Sequence, residues 1–192
     1  MDELIAGFPQ QLERAMQIGE AAKIGKNKFP IRNILISGLG GSGIGGTIIA
    51  NILRDDIAVP ILVNKEYQIP AYVNENTLVV ISSYSGNTEE TVSCFHEAIA
   101  KGLKPVCVSS GGKLRDLALR QGIDFVPMPT GFPPRASLAY GAANLFYILN
   151  HFGVLQYNVA TAFSQLGAFL QAKQTDIQVT AKHYAVHYKN KI

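Results

Sequence analysis

The 192-residue chain is 47% apolar and 16% charged, with a net charge of +3. That length suits one domain with a helical appendage, and the apolar share excludes a disordered chain. The basic excess is mild and scattered, which excludes the basic stripes of a nucleic-acid binder but tolerates an anionic small molecule.

Leu4, Phe8, Leu12 and Met16 recur at helical spacing, so the chain opens with an amphipathic helix. Short apolar runs then alternate with helical patterns. Asn33–Ser37, Pro60–Asn64, Thr77–Ser82, Pro105–Ser109 and Asp124–Pro127 read as five strands. Ile44–Leu53, a segment carrying Thr88, Val92, Phe95 and Ile99, and Lys113–Gln121 read as the helices between them. Strand runs that are apolar throughout are buried on both faces, so this alternation predicts a parallel sheet covered by helices on both sides. Proline-rich Pro127–Pro134 is a connector, and a long helix is expected over Arg135–His151. Two further apolar stripes, from Val159 to Leu170 and from Ile177 to Tyr188, make the tail helical. The expected division is an α/β domain over residues 1–152 and a helical extension over 153–192.

The acidic start, Met1-Asp-Glu-Leu-Ile5, does not fit a signal peptide. The richest apolar stretch, Leu138–Leu149, is interrupted by Asn144 and is too short for a membrane span. Cys94 and Cys107 lie in apolar surroundings and read as small buried hydrophobes, the expectation for a reducing, cytoplasmic location. The apolar content of Leu138–Phe152 and of the tail exceeds what one small domain is expected to cover, which points to a homodimer.

Two loops carry chemistry. Gly38-Leu-Gly-Gly-Ser-Gly-Ile-Gly-Gly46 follows a strand and opens a helix, where unobstructed N–H groups and the helix dipole form an anion site. Gly38, Gly40 and Gly43 also satisfy a dinucleotide fingerprint, with Glu66 after the second strand. Ser42 favours a phosphate monoester instead. The second loop, Ser82-Ser-Tyr-Ser-Gly-Asn-Thr88, offers the hydroxyls of Ser83, Ser85 and Thr88, more than an N-cap requires. A dinucleotide has no need of this second loop, whereas a compact phosphate dianion does. With strand order 2-1-3-4-5 the two loops flank a topological switch point, where such sheets bind ligands.

These loops, together with Pro133-Pro-Arg-Ala-Ser-Leu-Ala-Tyr140, resemble the signatures of sugar isomerase (SIS) domains. Within that family they look most like the bifunctional phosphoglucose/phosphomannose isomerase group, over about residues 1–155. The resemblance implies a three-layer, doubly wound α/β fold with a flavodoxin-like five-stranded sheet. It implies conversion of glucose 6-phosphate or mannose 6-phosphate to fructose 6-phosphate through an enediolate, with no cofactor, no metal, and neither nucleic acid nor membrane as partner. Carried over by motif, Gly41, Ser42, Ser83, Ser85 and Thr88 would hold the phosphate, and Arg135 would stand as the cation near the reacting carbons. Alanine at Ser83 and Ser85 is expected to weaken binding and leave the fold intact. The general base and ring-opening histidine of the two-domain group come from a second SIS domain, expected beyond Ile192. A non-catalytic phosphosugar-binding regulatory module is the other reading. Glu89 and Glu90 read as helix-start residues and His96 and His151 as structural. His183 and His187 share a helix face with no evident third metal ligand.

Overall fold

The computed structural model describes residues 1–189 and Lys191. Two helices open the chain, α1 (Asp2–Ala6) and α2 (Phe8–Ala21), with Gly7 between them and Pro9 in the first turn of α2. The single opening helix read from the periodicity is thus two, because proline has no N–H to continue α1's ladder but suits a first turn. Next come β1 (Asn33–Ser37), α3 (Gly40–Ile52), β2 (Ile61–Asn64), β3 (Thr77–Ser82), α4 (Glu89–Ala100), β4 (Val106–Ser109), α5 (Gly112–Arg120) and β5 (Phe125–Pro127). A 3₁₀ turn over Pro134–Ala136 leads into α6 (Leu138–His151), and α7 (Val159–Tyr188) follows.

All pairings in the sheet are parallel and the order is β2-β1-β3-β4-β5. The strands alternate between two cores. Ile34, Ile36, Leu78, Val80, Val106 and Val108 face α2, α3 and α6. Leu35, Val79, Ile81 and Cys107 face α4 and α5. The crossovers after β1 and β3 therefore run to opposite sides, and the ends of these neighbouring strands define the switch point. The three-layer doubly wound fold read from the sequence is the one observed.

Helix starts differ from the sequence reading in two places. Helix α3 begins at Gly40, four residues before Ile44, so most of the glycine-rich segment is helix and not loop. Its glycines serve close packing. A Cβ at Gly43 would stand 2.6 Å from the Gly38 carbonyl oxygen, and one at Gly46 would stand 3.0 Å from Ile36 Cγ2. Tertiary approach overrides glycine's poor helix propensity here. Helix α6 begins at Leu138 because Pro133 and Pro134 hold the preceding residues in a separate turn.

Helix α7 is one continuous element of 30 residues, with Asn158 Oδ1 accepting from the Thr161 N–H at its start. Val159 and Phe163 are buried, and the Phe163 ring packs edge-on against Phe146 at 5.5 Å. From there α7 runs along α2, and its distal half is exposed, including Ile177, Val179, Tyr184, Val186 and Tyr188. Helix α6, by contrast, buries its apolar residues, with Ala139, Tyr140, Ala143, Leu145, Ile148 and Leu149 all inside. Its composition therefore needs no partner, and only α7 keeps the argument for one. Among the described residues no helix is long and apolar enough to cross a membrane.

Candidate functional site

The carboxyl ends of β1 and β3 bring the two chemically distinctive segments together. Ser42, in the first turns of α3, accepts through Oγ from the Tyr84 backbone N–H at 3.2 Å. Gly41 lies under the 3₁₀ turn, since a Cβ placed there would meet the Pro134 carbonyl oxygen at 3.2 Å. That turn carries Arg135, which is exposed and has no ion pair among the described residues. Gly41, Ser42, the hydroxyl loop and the Arg135 turn thus form one contiguous rim. Helices α3 and α4 both start at this rim with no side-chain cap bond, so their first-turn N–H groups present positive potential to it.

The hydroxyls are not equivalent. Ser83 is 2% exposed, and its Oγ accepts from the Gly86 N–H at 3.1 Å and stands 2.9 Å from Thr88 Oγ1. It closes its own turn, which Gly86 makes possible with φ of +68°. Ser85 is exposed and, among the described residues, accepts only from the Asn87 N–H, at 3.2 Å. Thr88 is half-buried at the cap position of α4. Ser42 and Thr88 are half-buried and Ser85 is exposed, so these three hydroxyls are more accessible than that of Ser83.

Three residues that the sequence pattern does not single out hold this rim. Asn87 Oδ1 accepts from the Lys113 N–H at 3.0 Å and so caps α5 from the neighbouring loop. Ser110 donates to the Tyr84 carbonyl through both its hydroxyl, at 2.6 Å, and its N–H, at 3.0 Å. Tyr84 reaches across to the connector, where its hydroxyl donates to the Pro129 carbonyl at 3.1 Å and accepts from the Phe132 N–H at 2.9 Å. A tyrosine in a loop otherwise built of small residues is the available signal, because such a ring needs both packing and a partner for its hydroxyl.

The remaining candidates lie apart from the rim's hydroxyls or only border them. Glu89 and Glu90 occupy the first turn of α4, and Glu89 accepts from the Tyr67 hydroxyl at 3.3 Å. Those two carboxylates raise the Tyr67 phenol above its ordinary value, Glu90 most strongly, with some burial added. Glu66 is exposed, two residues past β2. His96 is exposed on α4, and His151 approaches the Gly25 carbonyl through Nε2 at 3.0 Å. His183 and His187 stack at 6.5 Å on the distal half of α7. Among the described residues no three His, Cys, Asp or Glu side chains gather as a metal centre. A cavity of about 670 Å³ opens at the other end of the sheet, beside Lys26, Asp56 and His151. It contains none of the rim residues.

No protein-family model matches the chain. It is 39% identical over 156 residues, 81% of its length, to the bifunctional phosphoglucose/phosphomannose isomerase of Caldicellulosiruptor bescii, covering 46% of that protein. It is 38% identical over 184 residues, 95% of its length, to the protein of the same name from Aquifex aeolicus, covering 54% of it. The chain thus spans about half the length of these curated relatives. Among solved structures, the tagatose-6-phosphate ketose/aldose isomerase of Escherichia coli shares the fold with a TM-score of 0.66 at 18% identity, over 91% of this chain and 52% of that one. The Vibrio vulnificus NanR protein complexed with ManNAc-6P matches with a TM-score of 0.51 at 17% identity, over 84% of this chain and 60% of that one. With its strand order, its two loops at the switch point and these relatives, the chain is a homologue of the bifunctional phosphoglucose/phosphomannose isomerases and has the SIS fold of phosphosugar isomerases.

Proposed function

We propose that the rim between β1 and β3 binds a sugar phosphate, and that this chain supplies the phosphate-binding half of an isomerase converting glucose 6-phosphate and mannose 6-phosphate to fructose 6-phosphate. The observation that carries this reading is the convergence of Ser42, Ser85, Thr88 and two uncapped helix starts at one switch point, beside an arginine with no ion pair among the described residues. A phosphate dianion accepts hydrogen bonds only, and several neutral donors plus helix dipoles suit it without buried charge. Ser83 acts one step removed. With the Gly86 N–H already on its oxygen, its own proton is available to Thr88, which leaves the Thr88 O–H to point at the ligand. Gly40, at φ of +54° and with open space where a Cβ would stand, lets the phosphate approach the backbone.

Isomerisation moves a proton between C1 and C2 through an enediolate, whose developing oxyanion needs a fixed positive charge. Arg135 can supply that charge. It is exposed at the rim, has no carboxylate partner among the described residues, and follows two prolines that fix its approach. Glu89 and Glu90 sit where a like charge disfavours them near phosphate, so the proton-abstracting carboxylate is assigned outside this rim. No cofactor enters the reaction. The two buried free cysteines suit a reducing, cytoplasmic setting, and the exposed apolar residues of α7 suit a homodimer.

The test is calorimetry of this chain with glucose 6-phosphate and with glucose, paired with a coupled assay for fructose 6-phosphate. Saturable binding of the phosphate ester alone, with little turnover, is the expected outcome. No binding of the ester refutes the proposal, and full turnover refutes the assignment of this chain to one half of the site. The alternative is a non-catalytic phosphosugar-binding regulatory module. Unaltered Kd with no gain in turnover on adding the remaining half of an isomerase would favour that alternative.

A further inference from the structure

Tyr84 is joined to three separate parts of the rim: α3, the segment after β4 and the connector. Its N–H is held by Ser42 of α3, and its carbonyl by Ser110 beyond β4. Its hydroxyl takes the Phe132 N–H at 2.9 Å and gives its proton to the Pro129 carbonyl at 3.1 Å, closing the connector into a loop over the ring. The Phe132 ring is anchored as well, 5.4 Å from that of buried Tyr140 on α6. Only Pro133 and Pro134 separate Phe132 from Arg135. Two prolines with fixed φ transmit the position of Phe132 to Arg135 with little slack. The middle of the connector has few other ties: of Thr130, Gly131 and Phe132, only Phe132 commits its N–H among the described residues, whereas the ends are also held, at Met128 by the Ser109 carbonyl and at Pro134 by the Ser137 hydroxyl.

We propose that Tyr84 is a positioning residue, its hydroxyl fixing the connector so that Arg135 stands over the sugar of a phosphosugar held by the loops. This rests on the phosphosugar reading above and adds a residue to it. Its chemistry is specific. Phenylalanine keeps the ring and its packing but removes both the acceptor for Phe132 and the donor for Pro129. The hydroxyl loop is held separately by Ser83, Gly86 and the Tyr84 backbone, so the phosphate donors stay in place while the connector leading into the Arg135 turn is loosened.

The experiment is a double-mutant cycle of Tyr84→Phe and Arg135→Ala, read by calorimetry with glucose 6-phosphate and with inorganic phosphate, alongside amide exchange of the connector. Tyr84→Phe alone should weaken glucose 6-phosphate by about fivefold and inorganic phosphate by less than about twofold. In the Arg135→Ala background the same change should have no further effect, because residues that act as a unit are not additive. The Phe132 amide should exchange at least about tenfold faster in Tyr84→Phe. An equal loss in both backgrounds, a matching loss for inorganic phosphate, or unchanged Phe132 exchange each overturns the proposal. Absence of glucose 6-phosphate binding by the unaltered chain overturns the phosphosugar reading itself, whereas wild-type binding with unchanged affinity in Tyr84→Phe overturns the clamp alone. Should Tyr84→Phe not fold, exchange in the unaltered chain decides: a Phe132 amide as unprotected as those of Thr130 and Gly131 contradicts the clamp.

Discussion

The hydroxyl oxygens of Ser83 and Thr88 stand 2.9 Å apart, and this pairing divides the hydroxyl loop into an inner and an outer half. Ser83 is buried and closes the turn, while Ser85 is exposed. The expectation that alanine at both positions would leave the fold intact therefore splits. Ser83→Ala removes one of two acceptors of the buried Gly86 N–H, the other being the Ser83 carbonyl, and unpairs Thr88 Oγ1, and it should cost about 1 kcal/mol of stability, with weaker glucose 6-phosphate binding. Ser85→Ala should leave the melting temperature unchanged and weaken binding about tenfold, the value of one hydrogen bond to a charged group. Melting and calorimetry on the two single variants check this, and equal melting temperatures would contradict the division.

Glycines of α3 should differ in the same way. Gly43→Ala places a methyl 2.6 Å from the Gly38 carbonyl, which is backbone and cannot swing aside. A loss of about 1–3 kcal/mol is expected, as for overpacking. Gly45→Ala meets only Leu138 Cδ1 at an ordinary 3.7 Å, and should gain up to about 1 kcal/mol from helix propensity. Urea denaturation of both variants measures the contrast. A stable Gly43→Ala protein would mean that the glycine-rich stretch is not packed as described.

Alkaline stability follows from Cys107. Burial first, with a smaller push from the Asp124 carboxylate, raises its thiol to about 12 from an ordinary 9.0. The folded state thus disfavours the thiolate, and the unfolded chain loses this proton first. The contribution is fully present below about pH 9 and is lost as pH rises toward 12. Burial raises the Tyr140 and Tyr147 phenols too, so they act with the same sign. Denaturation midpoints should fall above pH 9, less steeply in Cys107→Ala. A midpoint independent of pH from 9 to 11 would contradict it.

Self-association should depend on α7 and not on α6. The exposed apolar side chains Ile177, Val179 and Val186 lie on the distal half of α7. Replacing all three with polar residues should shift a dimer to monomer in sedimentation at tens of micromolar, with the melting temperature of the α/β part little changed. A strict monomer before substitution would argue against the homodimer.

Much of this architecture is legible in the sequence. The five strands are placed to within one residue because apolar runs bounded by glycine, proline and serine leave few alternatives, and their alternation with helices sets the parallel order. The start of α3 is not legible, because Gly40, Gly41 and Gly43 look like loop residues until the tight contacts of Gly41 with Pro134 and of Gly43 with Gly38 are visible. Ser83 reads as a ligand donor because composition cannot tell a hydroxyl spent on its own turn from one that faces outward. Tyr84 and Asn87 escape the pattern because their partners, Phe132 and Lys113, lie tens of residues away in sequence. Local pattern reveals where a loop is, and only the tertiary contacts reveal what holds it.

The most direct test of phosphosugar binding at the rim is a titration of the labelled chain with glucose 6-phosphate followed by backbone amide shifts. The expected result is saturable shifts greatest at Gly41, Ser42, Ser85 and Thr88, with the Arg135 turn following and the opposite end of the sheet silent. Shifts concentrated instead around Lys26, Ile57 and Gly153, which line the cavity at that other end, or no saturable shift at all, would contradict it.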